Sequence, residues 1–333
     1  MNHILGLLVM LSSVSAAGEY FGASSKPEKV FTAYGETEGV TAAPDGTIYF
    51  SDITLSKAVR DERGVTQGGH IWRFDPKTGR TTLFRSPSNK SNGLEFAPDG
   101  SLIACEGADF GGRRLSRTDM KTGLCYILTA TYEGKPYNAP NDLAVDSAGR
   151  VFFTDPKYVG PESVEQPVMG VYRHDPKDGS TQRIITDAGK PNGIALSPDG
   201  SQLYVGVNDN GSEGVDSLLD AQGKPPALRR GFMGILAYEL MDGEVRSAAR
   251  VLVDYGQQNG PDGMVCDASG NLVVTARAED APGLRVYEAS SGKEVDRLVM
   301  EHAPTNVSFG KGDDSRNLYV TAGNGLYRIG RSN

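Results

Sequence analysis

Glu38, Asn92, Asn141, Asn192, Asp262 and Asn306 share one character: each is a carboxylate or a carboxamide, and four of the six stand directly before a glycine. With no Lys or Arg among them, they form a set of hard oxygen donors. Brought to one place, the two anions would repel each other and lose hydration without a positive partner. A bound divalent cation answers both problems. Asn-Gly and Asp-Gly pairs also suit tight turns, and for Asn92 and Asn306 that explanation stands equally open. It suits Glu38 poorly, because Glu is not a favoured turn residue.

Such donors can converge only if the fold gathers them, since they lie 54, 49, 51, 70 and 44 positions apart. Each opens a copy of one phrase. The first copy continues Gly39-Val40-Thr41-Ala42-Ala43-Pro44-Asp45-Gly46, and its Pro-Asp-Gly turn returns at 98–100 and 198–200, with Ser-Ala-Gly and Ala-Ser-Gly variants at 147–149 and 268–270. A β-branched or aromatic run follows each turn, as at 48–50 and 151–153, and a second hairpin follows at 70–75, 171–175, 235–239 and 284–288. Four strands per copy and six copies predict an all-β, six-bladed β-propeller with four-stranded blades. The sixth copy stops one strand short, and the alternating segment 29–34 supplies the missing outer strand, so an N-terminal strand closes the last blade and the ring. The first strand of each blade is innermost. Its opening residue therefore rings one mouth of the central channel, which is where the six oxygen donors must meet.

The remaining features bound the function. A net charge of −8, with 38% hydrophobic and 23% charged residues, speaks against a nucleic-acid partner and for a small molecule. The apolar run 4–14 ahead of Ser15, Ala16 and Ala17 predicts a signal peptide at 1–17, a short extension at 18–27, a single propeller domain at 28–333, and export to the periplasm or beyond. No later run is long and apolar enough to span a membrane, so none is expected in the mature chain; protein partners are not indicated. Export would permit a Cys105–Cys125 disulfide, and three small buried thiols are the other possibility. His70, His174 and His302 are too scattered for a zinc triad, and no Gly-x-Ser-x-Gly elbow occurs. Trp72 and Phe74 are expected to pack between blades.

In this order and at this spacing, Glu38-Gly39, Pro140-Asn141-Asp142, Pro191-Asn192-Gly193 and Pro261-Asp262-Gly263-Met264 resemble the senescence marker protein, gluconolactonase and luciferin-regenerating enzyme family. Ala104-Cys105-Glu106-Gly107, and Phe153-Thr154-Asp155-Pro156 with Tyr158, are similar to its bacterial gluconolactonase branch. The resemblance implies that Glu38, Asn141, Asn192 and Asp262 hold one divalent cation, calcium first, with magnesium, manganese or zinc as alternatives. The vertebrate relatives carry an Arg where this chain has Ala139, so substrate contacts do not transfer from them.

Four protein oxygens would leave coordination positions open, as catalysis needs. The expected function is a metal-dependent hydrolase opening a sugar lactone, with Asp262 as base or water-orienting group and Asn141 fixing the carbonyl. A phosphotriesterase on the same site, or a non-catalytic ligand-binding propeller, are the alternatives. Insertions at 55–69 and 210–231 follow second strands and rise on the site face, where they read as lids or specificity loops. Asn92, Glu106, Asp155 and Asn208 stand on the same face as candidates for substrate or supporting contacts.

Overall fold

The structure, a computed structural model, describes residues 20–56, 59–211 and 230–332. The expected signal at 1–17 lies outside them, as does most of the 210–231 insertion.

Six antiparallel sheets follow one another in chain order. Blade 1 runs Thr37–Ala42, Ile48–Asp52, His70–Asp75 and Arg80–Arg85, and blade 2 runs Ser91–Phe96, Leu102–Glu106, Arg114–Thr118 and Cys125–Thr129. Blade 3 runs Leu143–Val145, Val151–Thr154, Val171–His174 and Thr181–Ile185. Blade 4 runs Pro191–Leu196, Gln202–Asn208, Met233–Met241 and Arg250–Asp254, its long third strand also pairing with Glu244–Val245. Blade 5 runs Met264–Cys266, Asn271–Ala276, Gly283–Glu288 and Lys293–Val299. In blade 6, Pro304–Phe309, Asn317–Ala322 and Gly325–Gly330 are completed by Glu28–Thr32, which pairs antiparallel with Gly325–Gly330. Each innermost strand packs on the next, and that of blade 6 returns to that of blade 1, closing a six-bladed β-propeller.

Burial explains why these segments are strands. The second strand of each blade is covered on both faces by neighbouring blades, and so is largely apolar, without alternation: Leu102–Glu106, Val151–Thr154 and Leu272 to Ala276 are buried throughout. Lys293–Val299, outermost in blade 5, instead alternates in exposure with period two. There is no single core. Six apolar clusters each lie between two adjacent blades, such as Val273, Leu284 and Val286 of blade 5 against Leu318, Val320 and Ile329 of blade 6. Phe74 packs on Tyr319 across the joint of blades 1 and 6, and Trp72 on the closing strand's Phe31. Phe21, in the extension, is buried in the cluster between blades 5 and 6, and its N–H donates to Asp296 Oδ2 at 2.7 Å.

All three cysteines are free. Cys105 is buried in the second strand of blade 2 and Cys125 exposed on its outermost strand, with the third strand between them. The structure thus has neither the disulfide nor three buried thiols.

Candidate functional site

The oxygen donors are placed by a recurring kink. In blades 1, 2, 4 and 6 the pairing of first and second strands skips within the opening residues, between Glu38 and Thr41, Ser91 and Leu94, Pro191 and Ile194, and Pro304 and Asn306. An extra residue in one strand re-aims its side chains, here towards the channel mouth. The glycine that follows the donor is required by contact more than by turn geometry. A Cβ on Gly93 would lie 2.8 Å from Asn141 O, and on Gly193 2.0 Å from Asp262 O. Gly93 N–H also donates to Asn141 O at 2.7 Å, and Gly263 N–H to Thr305 O at 2.7 Å. Hydroxyls on the second strands complete the ties: Ser51 Oγ reaches Asn92 O at 2.7 Å and Thr154 Oγ1 reaches Asn192 O at 2.6 Å. Each donor is therefore held by the blade before it.

The kink also corrects the sequence reading of blade 6. Pro304-Thr305-Asn306-Val307 aligns with Pro191-Asn192-Gly193-Ile194, so Thr305 takes the donor position and Asn306 the glycine position. Asn306 accordingly lies deeper in the channel, its amide 3.4 Å from Asp142 Oδ1, and does not line the cavity at the mouth.

Glu38, Asn92, Asn141, Asn192 and Asp262 do line one cavity of about 200 Å³, together with Asn208. Glu106 and Asp155 do not line it, for a reason of strand periodicity. They sit one residue earlier than Asn208 relative to the kink, and side chains alternate faces along a strand. Glu106 is clamped between Arg85 and Arg114 at 2.5 and 2.7 Å. Asp155 accepts the N–H groups of Asn138 and Ala139 at 2.9 and 2.8 Å, and Asp52 accepts those of Tyr34 and Gly35 at 3.1 and 2.9 Å. These two aspartates hold the chain just ahead of Glu38 and Asn141.

Electrostatically the cavity is short of positive charge. Burial raises the Glu38 carboxyl well above the ordinary range, with Asp262 and Glu36 adding to the rise. Burial raises Asp262 too, against the pull of Arg277, whose Nη1 donates to Asp262 Oδ2, and of the Asn192 side chain. The Oδ1 atoms of Asn192 and Asn208 are buried without a hydrogen-bond partner among the described residues. Buried acceptors normally find donors, so orphaned carbonyl oxygens beside two carboxylates suit an oxygen-seeking cation. Among the described residues no group of three or more His, Cys, Asp or Glu side chains forms a metal site, so any cation here would need the carboxamides.

Arg277, Glu36 and Lys90 also line the cavity, and were missed in the sequence. Arg277 occupies in blade 5 the position of Asn208 in blade 4, directly after the second strand pairs past the kink, so the repeat alignment contained the signal. Lys90 is buried, its Nζ donating to Thr54 O and standing 3.9 Å from Asp109. Leu55 at the start of the first insertion joins the wall, as do Tyr158 and Val159 from the loop after the second strand of blade 3. Tyr158 donates to Asn208 O at 3.0 Å, and Lys190 Nζ lies 4.2 Å from the centre of its ring.

Residues 36–324 match the model of the SMP-30/gluconolactonase/LRE-like region. Gluconolactonase from Zymomonas mobilis is 30% identical over 258 residues, covering 74% of this chain and 64% of the relative, under two thirds of its length. A gluconolactonase from Xanthomonas campestris superimposes with a TM-score of 0.72 at 23% identity, covering 96% of each chain. Regucalcin from Agrobacterium tumefaciens, a calcium-binding protein, superimposes with a TM-score of 0.66 at 20% identity, covering 92% of this chain and 94% of its own.

Proposed function

The chain belongs to the SMP-30/gluconolactonase/LRE-like family, and from that premise we propose that it hydrolyses sugar lactones, with a divalent cation held by Glu38, Asn141, Asn192 and Asp262. The observation that carries the proposal is the pair of orphaned carboxamide oxygens, Asn192 Oδ1 and Asn208 Oδ1, buried at a cavity that Glu38 and Asp262 line. An all-oxygen, carboxamide-rich set favours calcium over zinc, in keeping with the calcium-binding regucalcin relative. Bound there, the cation would polarise the ester carbonyl and acidify water at the site.

The protein's own groups divide the remaining work. Asn141 and Asn192 orient the lactone carbonyl, and Tyr158, Val159, Leu55 and Ala139 wall off bulk water. Asp262, which lines the cavity beside Asn141 and Asn192, takes the proton of the attacking water, whose acidity the cation would raise, as the oxygen bonds to the carbonyl carbon. It returns that proton to the ring oxygen as the acyl–oxygen bond breaks, leaving the open hydroxy acid. Asp155 acts at one remove, by holding the backbone ahead of Asn141. Export, supported by the apolar run at 4–14, would place this activity in the periplasm or outside the cell.

The test follows proton release from several aldonolactones, with a phosphotriester alongside, before and after chelation and again with Asp262→Asn. Lactone turnover that falls at least about 100-fold on either change, and returns with calcium in the wild type, is the expected result. Full activity after both changes would refute the site; faster turnover of the phosphotriester would refute the substrate class.

A further inference from the structure

A cation entering this site meets a rival already in place. Arg277 follows the second strand of blade 5 and donates to Asp262 Oδ2, with the two side chains 29% and 8% exposed. A guanidinium does not deprotonate in a protein, so it cannot yield Asp262 by losing its charge. To give up the whole carboxylate it must move, and it then needs another anion.

Glu36 meets that need. It lies two residues before Glu38 and lines the same cavity, and its charge and that of Arg277 act on one another. The charges also balance. Ionised, as a bound cation would keep them, Glu36, Glu38 and Asp262 against one guanidinium leave two negative charges, the complement of one divalent cation. Lys90, the other cationic side chain in the wall, is engaged by Thr54 and Asp109.

We infer that Arg277 is a resident counter-ion of the cation site, holding Asp262 while no cation is bound and passing to Glu36 when a divalent cation takes the Asp262 carboxylate. The inference rests on the cation site proposed above. Its consequences are that the fold does not depend on the cation for the neutrality of Asp262, and that cation affinity is set by the exchange of partners.

Calorimetric titration of the chelated full-length protein with calcium chloride tests this, using the wild type, Arg277→Gln, Glu36→Gln and the double variant, with thermal unfolding of each in parallel. Arg277→Gln is expected to bind calcium about tenfold more tightly and to melt lower without it, because Asp262 then lacks a partner. Glu36→Gln is expected to bind about tenfold more weakly, but to cost less than about twofold in the Arg277→Gln background, because Glu36 acts through Arg277. An Arg277→Gln variant binding no more tightly than wild type overturns the inference. So does a Glu36→Gln effect that is the same in both backgrounds, which would mean that Glu36 attracts the cation directly. Glu36→Gln retains the Arg277–Asp262 pair, so its lowered affinity remains a test if Arg277→Gln does not fold; unchanged affinity there also overturns the inference. A wild type that answers to no divalent cation defeats the cation site itself, whereas calcium binding indifferent to residue 277 defeats only the counter-ion.

Discussion

Gly193→Ala isolates the contact that holds the donor ring together. The added Cβ would stand 2.0 Å from Asp262 O and 3.0 Å from Gly263 Cα. Ordinary van der Waals contact begins at 3.4 Å, so the oxygen must retreat by at least about 1.4 Å. Backbone is on the far side, so the strain cannot be relieved by a rotamer change; blades 4 and 5 must part, carrying Asn192 away from Asp262. Overpacking of this kind costs about 1–3 kcal/mol or more, and a displacement of about 1 Å at reacting groups costs about 100-fold in rate. Gly193 lacks the positive φ of the turn glycines, so the alanine adds little conformational penalty of its own. Gly123→Ala is the control, at a φ of 74° with nothing within 4 Å of the new Cβ; it is expected to cost about 1 kcal/mol and leave turnover intact. Urea unfolding and lactone kinetics on both variants provide the comparison. If Gly193→Ala loses no more stability than Gly123→Ala and retains its rate, the close approach of blades does not set the site's geometry.

Glu106→Gln should destabilise the chain by about 3 kcal/mol, because it leaves Arg85 and Arg114 facing a neutral group where they clamped a buried carboxylate; urea midpoints check this, with lactone turnover changing by less than about threefold. Asp155 gives a pH signature. Burial raises its folded pKa to about 7, above the unfolded value of about 3.9. The folded state therefore binds the extra proton, and the resulting stability is fully present below about pH 4 and lost as pH rises through about 7. The wild-type unfolding free energy from urea titration is expected to fall between pH 5 and pH 8 relative to that of Asp155→Asn, by an amount on the order of a few kcal/mol. A difference between the two proteins that is flat with pH would contradict that.

The blades were legible because each must present the same face to the same kind of neighbour, so the phrase from donor to turn recurs. Glu38, Asn92, Asn141, Asn192 and Asp262 could be read off because the donor is anchored to the phrase. Blade 6 misled by one residue, since Asn306 resembles a donor while the kink places Thr305 there. Glu106 and Asp155 stand outside the cavity because, at the other end of the ladder, a single step moves a side chain from the cavity to the joint between blades; Asp155 supports the site from there by holding the backbone ahead of Asn141. Arg277 was not legible from the opening residues, none of which is cationic, because the compensating charge comes from the end of the second strand of blade 5. Tyr158 lies on a loop whose path no repeat specifies.

The splice in blade 6 also sets an order of events in time. Glu28 and Arg328 meet across 300 positions, so the strand Glu28–Thr32 waits for Gly325–Gly330 to be made. Until they pair, the edge of Gly325–Gly330 is an open template, and Val30 and Phe31 have only the blade 1 side of their cluster, with Phe50 and Trp72, to pack on. Pairings this remote in sequence are slow to form. Blade 1 also lacks its tie to blade 6, including the bond from Thr305 Oγ1 to Thr37 O at 2.7 Å, next to Glu38. The donor from the first blade is thus locked in position only after the last strand has been synthesised, and a chain caught before that moment carries every residue of the site without having the site.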